Sequence, residues 1–107
     1  MWLCFNDGFV SVVSDKEDHT RLLVRARRRR DLLNLLGADM ELVENARADY
    51  RWRAVVDRKV FSALVSARVE AIDYPNFKNS VADRDLHDLY MDFWGLHRRY
   101  QDREKQN

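Results

Sequence analysis

The sequence predicts an α+β domain: an antiparallel sheet of four to five strands with three helices packed on one face, in the order βββαββαα. Three observations lead there. Residues 2–13, 21–27 and 49–56 are rich in β-branched and aromatic types, and the latter two segments alternate between two faces, the period of a strand. Residues 57–72 and 83–100 instead repeat apolar positions every three or four residues, the period of an amphipathic helix. Short links between neighbouring strands favour antiparallel pairing, with helices covering one side of the sheet.

Residues 2–5 and 9–13 read as a hairpin closed by Asn6-Asp7-Gly8, with Gly8 expected at a left-handed position. A polar loop over 14–20 leads to a third strand. Its alternation sets Leu22, Val24 and Ala26 on one face and Arg21, Leu23, Arg25 and Arg27 on the other. Residues 29–36 form a short helix with Leu32, Leu33, Leu35 and Leu36 inward and Gly37 as its stop. Residues 38–44 supply a fourth strand. The next covers 49–56, where Tyr50, Trp52, Ala54 and Val56 alternate with Arg51, Arg53 and Val55. Asp57 is the N-cap of a helix whose apolar stripe is Val60, Phe61, Leu64, Val65, Val69 and Ile72. Tyr74, which precedes Pro75, ends that segment. The last helix begins near Asp83, with Leu86, Leu89, Tyr90, Phe93, Leu96 or His97, and Tyr100 as its stripe.

A chain of 107 residues holds one core, so residues 1–100 read as a single domain and 101–107 as a polar C-terminal tail. With 46% hydrophobic residues and a net charge of +1, the composition is that of a folded domain and excludes a disordered one. One cysteine cannot form an internal disulfide, and Cys4 reads as a buried strand residue in a reducing compartment. The first residues lack a basic leader with an apolar run, and no stretch is apolar enough to cross a bilayer. The expected location is the cytoplasm of a bacterial host cell, with no membrane partner.

Chemistry finds little foothold. His19, His87 and His97 have no paired metal-ligand spacing, so no metal site is expected. Three scattered glycines exclude a phosphate-binding loop and a dinucleotide fingerprint, and no nucleophile elbow is present. No cofactor and no enzymatic activity are expected. Asp85, Asp88 and Asp92 share one helical flank, where they are either a solvated acidic face or a contact surface.

The arginines say more. Residues 21–30 carry six of them and no acid, leaving the rest of the chain net negative. Arg25 and Arg27 on one strand and Arg51 and Arg53 on another share the face opposite the apolar one if the two strands belong to one sheet. Arg28, Arg29 and Arg30 extend the charge into the following helix. Such a cluster attracts phosphates or an acidic protein surface. Its bland counterpart is a solvated face on which arginines meet Glu41, Glu44 and Asp49 across strands. Trp52 belongs to the other face, which argues against a stacking platform of mixed aromatic and basic residues.

Gly8-Phe9-Val10-Ser11-Val12-Val13, Leu22-Leu23-Val24-Arg25-Ala26-Arg27, Asp49-Tyr50-Arg51-Trp52-Arg53-Ala54-Val55-Val56 and Ile72-Asp73-Tyr74-Pro75-Asn76-Phe77-Lys78 resemble blocks of a family of small bacterial and prophage-type proteins. The resemblance spans roughly residues 8–95 and implies no catalytic residues. In size and character the chain is also similar to anti-CRISPR proteins of phages. That similarity implies an inhibitor, monomeric or homodimeric, whose partner is a CRISPR-Cas effector subunit or its bound nucleic acid. The alternative is a small nucleic-acid-binding module that uses the arginine-rich sheet face.

Overall fold

Five strands and three helices appear in the computed structural model, which describes residues 1–104. They are β1 (Trp2–Phe5), β2 (Gly8–Ser14), β3 (Arg21–Ala26), α1 (Arg29–Leu36), β4 (Val43–Glu44), β5 (Trp52–Asp57), α2 (Arg58–Glu70) and α3 (Arg84–Glu104), with a single 3-10 turn at Lys78–Ser80. The expected α+β class and element order hold. Every strand pairing is antiparallel, in the spatial order β1-β2-β3-β5-β4. Of the polar tail expected over 101–107, residues 101–104 continue α3 and residues 105–107 lie outside the described residues.

Met1–Asp73 makes one compact unit, and the chain from Tyr74 makes a second. In the first, strand alternation turns Val10, Val12, Leu22, Val24, Ala26, Ala54 and Val56 to one side of the sheet. Leu32 and Leu35 of α1 and Phe61 of α2 close that side, and Leu32 is completely buried. Local signals set the helix ends. Gly37 takes a φ of 101° and donates its N–H to the Leu33 carbonyl at 2.8 Å, stopping α1 where glycine alone is unstrained. Asp57 Oδ1 accepts from the N–H groups of Lys59 and Val60 at 2.9 and 3.3 Å, a cap that stabilises α2 by about 1 kcal/mol.

Four expectations need correction. Gly8 is the first residue of β2 and its φ is not positive; Asn6 and Asp7 alone make the turn. Gly8 matters because a Cβ there would meet the Asp31 backbone of α1 at 3.0 Å. The fourth strand shrinks to Val43–Glu44, an edge that pairs only with β5. Cys4 is exposed, because β1 is the opposite edge and Cys4 stands on the face away from the core. On α2 only Phe61 is buried, whereas Val60, Val69 and Ile72 of the expected stripe are exposed.

A part-exposed clamp ties the hairpin to both helices of this unit. Arg68 of α2 donates to both Asp7 carboxylate oxygens at 2.8 and 2.9 Å and to the Asn34 carbonyl at 2.9 Å, and its guanidinium lies 5.2 Å from the Phe5 ring centroid. In the second unit the rings of Tyr74, Phe77, Tyr90 and Phe93 form a chain of contacts 5.3 to 6.1 Å apart, so the aromatic loop around Pro75 packs onto α3.

Candidate binding face

Strand parity also decides what stands opposite the core. Trp2 and Cys4 of β1, Phe9, Ser11 and Val13 of β2, Leu23 and Arg25 of β3, and Arg53 and Val55 of β5 all take that side. Register arranges them in rows. Trp2, Ser11, Arg25, Arg53 and Val43 lie side by side, one from each of the five strands, and Val13, Leu23 and Val55 make an apolar row beside them.

Arg25 and Arg53 are therefore directly opposed on neighbouring antiparallel strands. Cβ atoms so placed are roughly 5 Å apart, and like charges at this position repel. No carboxylate pairs with either residue among the described residues. Arg25 Nη2 donates to Ser11 Oγ at 2.9 Å, and its guanidinium lies 4.7 Å from the Tyr50 ring centroid. Both residues are half-buried, and the Nε atom of each is sealed from solvent with no acceptor among the described residues. A buried donor left in this way costs about 1–3 kcal/mol.

The remaining arginines divide differently. Arg27 Nη1 donates to Asp49 Oδ1 at 3.1 Å and to the Asp49 carbonyl at 2.9 Å, and Arg51 Nε donates to Glu44 Oε2 at 2.7 Å. Neutralisation by Glu44 and Asp49 thus occurs at Arg51 and Arg27 and, among the described residues, not at Arg25 or Arg53. Arg28 precedes α1, and Arg29 and Arg30 open it, all three exposed on the helix that covers the core side of the sheet. The run of six is split between the two sides.

Tyr50 is the residue that sequence parity misplaces. Counting back from Trp52 sets it on the core side, yet its ring lies beneath Arg25 and Arg27, 4.7 and 4.4 Å from their guanidinium carbons. β5 begins only at Trp52, and residues 49–51 bend, so alternation does not extend back to Tyr50. Trp52 packs against the core, as its parity requires. The buried Tyr50 ring holds two guanidiniums by cation–π contact and is not itself a stacking surface.

Asp85, Asp88 and Asp92 are exposed on α3, and the His87 Nδ1 atom lies 3.6 Å from Asp88 Oδ1. No group of three His, Cys, Asp or Glu side chains able to hold a metal occurs among the described residues. Desolvation around the Cys4 sulfur pushes its thiol pKa up, so the side chain stays protonated and weakly nucleophilic at neutral pH. Trp2 and Trp94 are both exposed, and Trp94 is flanked by Lys78 and Arg98 at 4.6 and 5.7 Å. Among the described residues no helix is long and apolar enough to cross a membrane. No protein family, curated protein or solved structure matches the chain.

Proposed function

We propose that this chain is a non-enzymatic binding protein that takes an anionic group of its partner between Arg25 and Arg53. One observation carries the reading: two half-buried guanidiniums are held in register against each other with no acid between them. A carboxylate or phosphate placed there would offset the repulsion and accept charge-assisted hydrogen bonds. Ser11 and Tyr50 hold Arg25 in place beforehand, which lowers the entropy lost on binding. The apolar row of Val13, Leu23 and Val55 adds area for a protein surface.

The size and character of the chain, similar to those of anti-CRISPR proteins, are what support a phage-derived anti-CRISPR role. In that role the chain inhibits a CRISPR-Cas effector by occupying a protein or nucleic-acid binding surface. A second reading, a small nucleic-acid-binding module, gains from Trp2, which is exposed at the end of the Arg25–Arg53 row and offers a ring for an unpaired base.

A pull-down from a CRISPR-bearing bacterial lysate, with and without nuclease, tests the proposal. An effector subunit retained by the native chain after nuclease, and lost with Arg25→Gln/Arg53→Gln but not with Arg27→Gln/Arg51→Gln, supports inhibition by direct contact. Retention only without nuclease, with affinity falling steeply in salt, supports the nucleic-acid module. Equal retention by both double variants removes the arginine pair from the function.

A further inference from the structure

Along α3, Leu86, Leu89, Phe93, Leu96 and Tyr100 follow the three-four-three-four spacing of a coiled-coil seam. The seam is covered at its start and bare at its end. Leu86 is buried and Phe93 half-buried, whereas Leu89, Leu96 and Tyr100 are 39%, 51% and 77% exposed. From Leu96 to Glu104 every residue is exposed. A helix this long with a bare apolar seam gains most of its stability from a packing partner.

We propose that this partner is a second copy of the chain, its α3 running antiparallel to the first. Charge along the helix selects that direction. Asp83, Asp85, Asp88 and Asp92 against Arg84 make its first half net acidic, and Arg98, Arg99 and Arg103 against Asp102 and Glu104 leave its second half weakly basic. Antiparallel pairing sets acidic half against basic half and opposes the helix dipoles favourably, whereas parallel pairing sets like against like. Seam spacing allows registers seven residues apart, and with Leu86 already covered the one that uses the bare positions is selected. With Phe93 opposite Leu96 of the second copy, Leu89 meets Tyr100, and two-fold symmetry repeats both layers. The same register brings Asp92 beside Arg99 of the second copy, again twice, at the positions that flank an antiparallel seam. Asp92 and Arg99 are both exposed, and neither has an ion pair within its own chain among the described residues. Two separate patterns, apolar spacing and unpaired opposite charges seven residues apart, thus agree on one pairing.

Sedimentation equilibrium on the full chain tests this, with circular dichroism confirming that each variant keeps its helix content. The native chain is expected to dimerise, and Leu96→Glu to be monomeric. Asp92→Arg and Arg99→Asp should each weaken the dimer roughly tenfold, since each turns two attractive pairs repulsive. The double variant Asp92→Arg/Arg99→Asp restores both pairs and should return to within about threefold of the native chain. A native chain that stays monomeric up to millimolar concentration overturns the proposal. So does a dimer indifferent to Leu96→Glu, or a double variant no better than its parents, which would place the interface elsewhere or in another register.

Discussion

Arg25 and Arg53 differ from Arg27 and Arg51 by two residues along the same chain segments, yet the two sets are held in opposite states. The outer set is neutralised by Asp49 and Glu44 and is exposed. The inner set is half-buried, faces its own charge across the sheet and lacks an acid among the described residues. Net charge does not distinguish the two sets. What separates them is whether the field of each guanidinium has already been used within the fold. An arginine with its own carboxylate is a poor recruiter of another, because binding must first displace the first. A charged strand face is therefore not uniformly a candidate site.

Closing the inner pair should have the largest effect. Arg53→Glu places a carboxylate opposite Arg25, which fills the gap with an internal salt bridge. We expect partner affinity to fall about 100-fold while the melting temperature rises, the opposite of what loss of a structural arginine would do. Calorimetric titration with the captured partner and thermal unfolding measure the two responses. A lower melting temperature would mean that Arg53 serves the fold.

Arg68 provides the structural contrast. It is committed to Asp7 and Asn34, so Arg68→Ala should destabilise the first unit by about 2 kcal/mol in urea unfolding, with its side chain partly screened by solvent. Affinity measured on the folded fraction should be unchanged.

Opening the outer set gives a smaller change. Glu44→Gln frees Arg51 and should cost under about 1 kcal/mol, since the pair is exposed. Affinity for an anionic partner should hold or rise slightly. A large loss would show that the closed pairs also take part in binding.

The smallest effect concerns the loop before β3. Asp18 accepts from Thr20 Oγ1 and N at 2.6 and 2.9 Å, and Arg21 lies 3.2 Å away. The Thr20 hydroxyl first, then its N–H, hold the Asp18 carboxyl below its usual 3.8. Because the folded value lies below the unfolded one, the stabilisation is present above pH 3.8 and is lost as pH falls through the folded value. The protection factor of the Thr20 amide, measured against its intrinsic exchange rate at each pH, should fall over that window and stay unchanged at neutral pH.

Much of the fold is legible in local residue patterns. The alternation of Leu22, Val24 and Ala26 sets the core face of β3, Gly37 stops α1 and Asp57 starts α2, each through chemistry within a few residues. The site is less legible, because its decisive relations are distant in sequence. That Arg25 faces Arg53, whereas Arg27 and Arg51 meet acids, follows from strand register over a long connection. Tyr50 defeats parity because the chain bends before β5, and Asp7 and Arg68 meet across 61 residues with no periodic signal between them. Helical spacing on α2 and α3 marks apolar faces correctly but does not say which turns find cover, so Val60, Val69, Leu96 and Tyr100 emerge exposed.

The inner arginine pair, on this reading, is an unfilled anion site and the outer pair is not. The most direct test is a titration of the full chain with inorganic phosphate, followed at the Nε–H resonances of all four arginines by NMR. Saturable shifts are expected at Arg25 and Arg53 with one shared dissociation constant, with Arg27 and Arg51 nearly still. Equal, non-saturating drift at all four, or a response confined to Arg27 and Arg51, would contradict that reading.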